Sequence, residues 1–193
     1  MRDVVILCSG GVDSSVLVSR AVEAVRLAGL VFVNYGQPAA LMEWRAVQAL
    51  LSGMAKGAGL HEVPLTTTYV RAMRDPAGQA GARVVPVRNL MMVAHAANYA
   101  VRMGASEVWI GAIGDDAEDY HDCRPAWMAS VSDALSGDGV QILAPLVTMS
   151  KAEVVAEARA RGVLDAAWSC YTPIQNRPCG GCNSCRSRDG AAA

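Results

Sequence analysis

Two stretches of this chain combine residue types with spacings that suit chemistry. The first is CSGGVDSS, Cys8–Ser15, where two glycines, an aspartate and three serines follow the apolar run VVIL. Gly10 and Gly11 permit positive φ and a close backbone approach, and the amides of a helix starting there favour an anion. Ser9, Ser14 and Ser15 add hydroxyl donors, so the turn suits a phosphate or pyrophosphate. It has neither the Gly-Lys-Ser/Thr ending of the mononucleotide loop nor the G-x-G-x-x-G of the dinucleotide turn. A glycine pair also serves plain strand-to-helix packing. The second stretch holds Cys170, Cys179, Cys182 and Cys185, spaced C-x8-C-x2-C-x2-C with Gly180 and Gly181 allowing tight turns. Four thiolates suit tetrahedral Zn²⁺ with no open position, a site that organises chain rather than catalyses. An iron–sulfur cluster or free thiols are the alternatives.

These residues need a scaffold that aims them. Apolar runs of strand length alternate with helical patterns. DVVILC (3–8), LVFVNY (30–35), LHEVPL (60–65), EVWIGA (107–112) and VQILAPL (140–146) read as strands. Helices are expected at 13–28 with Asp13 near the N-cap and Gly29 ending it, then at 40–59, 89–104, 125–136 and 150–162. Ser150 and Glu153 form a capping box for the last of these. The alternation predicts an α/β fold: a doubly wound, five-stranded parallel sheet with helices on both faces. Ligands of such sheets bind beyond the carboxyl ends of the strands, at the reversal of strand order. Cys8–Ser15, NYGQ, GDDAEDYHDCR and PLVTMS all fall there. Residues 1–165 make the main unit, and 166–193 form a cysteine-rich appendage rather than a second domain.

The 193 residues are enough for one core, and with 52 % hydrophobic and 18 % charged residues only the DGAAA tail reads as disordered. Net charge is −1, Lys56 and Lys151 are the only lysines, and no basic run supports a nucleic-acid surface. No apolar run nears the roughly 18 residues of a membrane span, and MRDVVIL lacks the marks of a signal peptide. A cytoplasmic protein is expected, which favours metal over disulfides at the cysteines.

S-G-G-x-D-S resembles the phosphate loop of the N-type ATP pyrophosphatases, with their adenine-nucleotide α-hydrolase-like fold. Together with NYGQ, VPVRN, GDDAEDYHDCR, SKAEVV and SCYTPIQNRPCGGCNSCRSR, in that order, the chain resembles the 7-cyano-7-deazaguanine synthase family through most of its length. It departs from that family at Val87, where a glycine usually precedes the Arg-Asn pair, and in a short loop over 66–83. The resemblance implies ATP-dependent conversion of 7-carboxy-7-deazaguanine and ammonia to the nitrile, through adenylates, with release of AMP and pyrophosphate. Ligases stopping at the amide or modifying a macromolecule, tRNA thiolation, and non-catalytic nucleotide binding are the other readings. It further implies a structural Zn²⁺, Mg²⁺ with the ATP, and a homodimer.

Carried over, Cys8, Ser9, Gly10, Gly11, Val12, Asp13, Ser14, Ser15, Val16, Leu17 and Val18 bind ATP, with Tyr35 and Gln37 near the adenosine. Asp13 orients the loop or the Mg²⁺. Arg88, with Asn89, and Lys151 neutralise phosphate charge. A guanine-like edge offers donors to carboxylates, and an arginine pairs with a carboxylate in bidentate fashion. Asp122 and Arg124 are therefore expected at the deazapurine, with Asp116 and Tyr120 behind them. Cys123 is a nucleophile only if a thioester is needed, which ammonia does not require. Met91, Met92, Trp109, Cys8 and His95 read as packing residues, while His61 opens a strand and His121 stays open.

Overall fold

The computed structural model describes residues 2–58, 64–69 and 85–192. Strands β1 (Val4–Leu7), β2 (Leu27–Asn34), β3 (Leu65–Tyr69), β4 (Glu107–Trp109) and β5 (Gln141–Leu143) form one parallel sheet, ordered β3-β2-β1-β4-β5. Order reverses beside β1, so the crevice between the β1 and β4 ends is the natural ligand site. Helices α1 (Val12–Glu23), α2 (Ala40–Ala58), α3 (Arg88–Met103), α4 (Gly114–Asp119), α5 (Pro125–Leu135), α6 (Lys151–Ala160) and α7 (Asn183–Ala192), with 3-10 turns at His121–Cys123 and Ser136–Asp138, complete the described elements.

Side chains on a strand alternate between faces, and the central strands use both. Val4, Ile6, Cys8, Leu30, Phe32 and Trp109 pack with residues of α1, α2 and α6. Val5, Val31, Val33, Val108 and Ile110 pack with residues of α3 and α5. Two cores therefore hold the sheet between them, as the near-continuous apolar runs predict.

Several boundaries differ from the sequence expectation. Helix α1 stops at Glu23, and Gly29 lies inside β2. Val25 turns the chain at φ 56, and pairing with β1 then starts at Leu27. A side chain at Gly29 would come within 2.9 Å of Tyr99, so this glycine serves packing rather than helix termination. The third strand is Leu65–Tyr69 instead of 60–65; residues 59–63, with His61, lie outside the described residues. Its β-branched threonines pair along β2 at the sheet edge. The fifth strand ends at Leu143 because Pro145 cannot donate to a ladder. Helices α4 and α7 were not foreseen, and the DGAAA tail continues α7 through Ala192.

Candidate active site

The Cys8–Ser15 turn is built by tight packing. Gly10 has φ 75, and a Cβ there would sit 2.5 Å from the Glu43 carbonyl oxygen and 2.9 Å from Ala46 Cβ. Gly11 is the N-cap of α1 and no side chain caps the helix, which leaves its first amides to the rim. The Gly11 N–H donates to Ser9 Oγ at 3.3 Å, the weak kind of bond a phosphate would replace. Ser14 and Ser15 turn inward, donating to the Gly11 carbonyl at 3.1 and 2.9 Å. Cys8, Val12, Val16, Leu17 and Val18 are buried in the core, so they meet a ligand only through the backbone. Burial pushes the Cys8 thiol up to about 11.

Asp13 is not the N-cap. Its carboxylate accepts from Lys151 Nζ at 2.6 Å, joining α1 to the first residue of α6. The capping box at Ser150 and Glu153 is present, and Asp115 accepts the Lys151 backbone N–H at 2.8 Å, so the lysine is anchored from both sides. The Gly114 N–H donates to the Met149 carbonyl at 2.8 Å and ties the β4 and β5 exits together. Burial, then the nearby Asp13 charge, hold the Asp116 carboxyl above its ordinary range, while Lys151 opposes them.

Arg88 opens α3. Its guanidinium lies 5.9 Å over the Tyr35 ring and 3.5 Å from the Tyr35 hydroxyl. Val87, immediately before it, adopts φ 62 and is the N-cap of α3. Gln37 spends both ends of its amide internally: it accepts from Tyr35 N–H at 3.0 Å and donates to the Val33 carbonyl at 3.2 Å and to Glu43 at 2.7 Å. It braces the β2 exit and keeps no free donor for adenosine. Glu43, which sequence reasoning missed, is held above the ordinary carboxyl range mainly by burial.

The loop after β4 divides its predicted residues. Arg124 is exposed and donates from Nε to the Ala117 carbonyl at 3.0 Å, while Asp122 is half-buried on a 3-10 turn over His121–Cys123. Tyr120 packs partly against the α3 and α5 core. Burial, then Asp116 and Asp122, push the Cys123 thiol up to about 12, which suits a packing residue rather than a nucleophile. His121 is exposed. His95 is exposed too, against expectation, because the buried stripe of α3 runs through Val93, Ala96, Ala97 and Ala100.

The four cysteine sulfurs lie within 4.8 Å of one another. Tetrahedral zinc with Zn–S of about 2.3 Å needs sulfurs about 3.8 Å apart, so the set fits one ion. A cubane cluster, with each thiolate on a separate iron, spreads its sulfurs further. The Cys179 and Cys182 amides donate to the Cys170 and Cys179 sulfurs at 3.2 and 3.3 Å, stabilising thiolate character. The segment also reaches the rim. Trp168 N–H donates to the Gly10 carbonyl at 2.8 Å. Tyr171, 54 % exposed, has its phenol raised by desolvation first and by Asp116 and Asp13 after it. Neither residue was singled out from sequence, although Tyr171 directly follows Cys170 of the four-cysteine cluster.

Comparison with known proteins bears on the family and the fold. The family model described as queuosine biosynthesis protein QueC matches residues 3–193. A 7-cyano-7-deazaguanine synthase of Koribacter versatilis (strain Ellin345) is 31 % identical, covering 98 % of this chain and 90 % of that protein. One of Synechococcus sp. (strain CC9605) is 34 % identical, covering 98 % and 92 %. Among solved structures, a 4-thiouridine synthetase–RNA complex with bound ATP superposes with TM-score 0.63 at 22 % identity, over 93 % of this chain and 45 % of that one. NMN synthetase from Francisella tularensis gives 0.58 at 17 %, over 99 % and 77 %. At such identities the structures speak for the fold. No helix among the described residues is long and apolar enough to cross a membrane.

Proposed function

The chain belongs to the family of the queuosine biosynthesis protein QueC, and we propose that it converts 7-carboxy-7-deazaguanine and ammonia to 7-cyano-7-deazaguanine with ATP. The observation that carries the chemistry is the Asp13–Lys151 pair, which sets one cation at 2.6 Å from the first turn of an uncapped helix.

ATP lies with its β and γ phosphates on the Ser9–Ser15 turn, where the α1 amides and Lys151 receive negative charge. The substrate carboxylate attacks the α phosphorus, and the bond to pyrophosphate breaks. Ammonia then displaces AMP and leaves the amide. Activation of the amide oxygen by a second ATP and loss of that oxygen in AMP, with a proton, gives the nitrile. Lys151 and Arg88 neutralise charge building on the phosphate oxygens, and Asp122 and Arg124, with Asp116 and Tyr120 behind them, hold the deazapurine. Asp13 and Asp116 are the carboxylates that would accept Mg²⁺ arriving with ATP. Cys170, Cys179, Cys182 and Cys185 would hold Zn²⁺, which supplies folding energy to the segment over 166–193 and no step of the reaction. A homodimer and a cytoplasmic setting belong to this reading.

Product identification tests it. With ATP, ammonium and the carboxylated deazaguanine supplied, mass spectrometry should find the nitrile. Accumulation of the amide alone, or of no altered base, overturns the assignment.

A further inference from the structure

The geometry points to Arg188 as a positioning residue for the phosphate turn, acting from the four-cysteine segment through the backbone of residues 164–168. This rests on the reading of that turn as the nucleotide site. Arg188 lies on α7, three residues beyond Cys185. Its guanidinium donates to the Ala167 carbonyl at 2.6 Å and the Leu164 carbonyl at 3.0 Å, two carbonyls that bracket the chain leading to Trp168. The next backbone group, the Trp168 N–H, donates to the Gly10 carbonyl at 2.8 Å. The Trp168 indole turns back to the Cys170 carbonyl at 2.8 Å, so the short run from Ala167 to Cys170 is held at both ends.

The consequence follows from peptide planarity. The Gly10 carbonyl and the Gly11 N–H belong to one planar unit and point in opposite directions. Fixing the carbonyl on Trp168 therefore fixes where the Gly11 N–H points. Gly10 sits at φ 75, and glycines have little torsional preference of their own to hold that plane. Among the described residues the Gly11 N–H meets only Ser9 Oγ, at 3.3 Å on the exposed rim, and it is the donor a phosphate would take. With the clamp lost, the Gly10–Gly11 peptide can rotate, and the turn must be ordered again each time nucleotide binds. The arginine is half-buried, and its planar fork can hold two carbonyls at once; a lysine ammonium has no such fork.

Arg188→Met and Arg188→Lys in the metal-loaded full chain test this. Magnesium α,β-methylene-ATP is the nucleotide probe, with binding followed by calorimetry alongside zinc content and the affinity for 7-carboxy-7-deazaguanine. Arg188→Met should keep its metal and its deazapurine affinity while losing about tenfold in nucleotide affinity, the order set by one charge-assisted hydrogen bond. Arg188→Lys should recover part of the loss. Unchanged nucleotide affinity in metal-loaded Arg188→Met overturns the inference, as does an equal loss for both ligands. If that variant fails to fold, the wild type stripped of metal with a chelator must show the same selective loss of nucleotide binding; equal losses again overturn it. Failure of the untouched, metal-loaded protein to bind the nucleotide counts instead against the turn as a nucleotide site.

Discussion

Lys151 Nζ sits 2.6 Å from Asp13 Oδ1 across 138 residues of chain, and both side chains are largely buried at the crevice between β1 and β4. An ion pair withdrawn from water is a sound way to store a cation beside the turn we propose for phosphate, because the charges are screened little there.

Replacing Lys151 with Met should lower kcat by about a hundredfold or more, the scale for removing one preorganised stabiliser of transition-state charge. The affinity for the deazapurine should hold. Steady-state kinetics beside a circular-dichroism melt check this, and turnover within twofold of wild type would remove Lys151 from the chemistry.

Counting nucleotides distinguishes the full reaction from its half-way product. Two activations should release two AMP and two pyrophosphate for each nitrile formed. Chromatography of the products measures the ratio. Synthetic amide supplied with ATP should also be consumed; an amide left untouched while the carboxylate reacts assigns the enzyme to amide synthesis.

Elemental analysis should find one zinc per chain, held by Cys170, Cys179, Cys182 and Cys185. Cys182→Ser should lose the ion and expose the segment from 166 onward to protease, since metal binding here is folding energy. Iron with sulfide, or active protein free of metal, rejects the zinc site.

Glu157 on α6 accepts from Arg20 at 2.8 Å and from Arg161 at 2.6 Å. The Arg20 hydrogen bond above all, then the opposing desolvation and the Arg161 bond, set its carboxyl at about 2 instead of 4.5. The folded state therefore prefers the ionised form, and the stability this brings is complete above the unfolded value. It is lost as pH falls through about 2. Glu157→Gln should lower Tm at pH 7 by roughly 4–8 °C, for about 2 kcal/mol in a chain of this size. The gap between variant and wild type should narrow from about pH 4.5 downward; a gap independent of pH would show that packing is responsible.

Val87 holds φ 62 and is 60 % exposed, so a β-branched residue occupies a left-handed position without burial to offset the strain. Val87→Gly should leave stability unchanged or raise Tm by about 2–4 °C, relief of about 1 kcal/mol after glycine's extra chain entropy. Thermal melts decide it. A fall in Tm would mean that Val87 makes contacts worth more than its strain.

Local features of this protein were legible in the linear chain because the physics behind them is local. The SGGVDSS turn, the cysteine spacing and the Ser150–Glu153 box each depend on residues close together along the chain. The burial of both faces of β1 and β2 also shows in their unbroken apolar runs. Only the tertiary structure decided which partners those features find. Asp13 looks like a helix cap, yet the order β3-β2-β1-β4-β5 brings α6 beside α1 and gives it to Lys151. Gln37 looks like a ligand contact, but Glu43 from the next helix consumes its amide. Gly29 reads as a helix stop until Tyr99 is packed against it. His95 reads as core until the register of α3 turns it to solvent. The bond from Trp168 to Gly10 joins two backbone groups, and backbone hydrogen bonds between distant segments leave no mark on residue type. Composition and periodicity record what each element must bury, whereas the docking of elements sets which polar atoms meet at the rim.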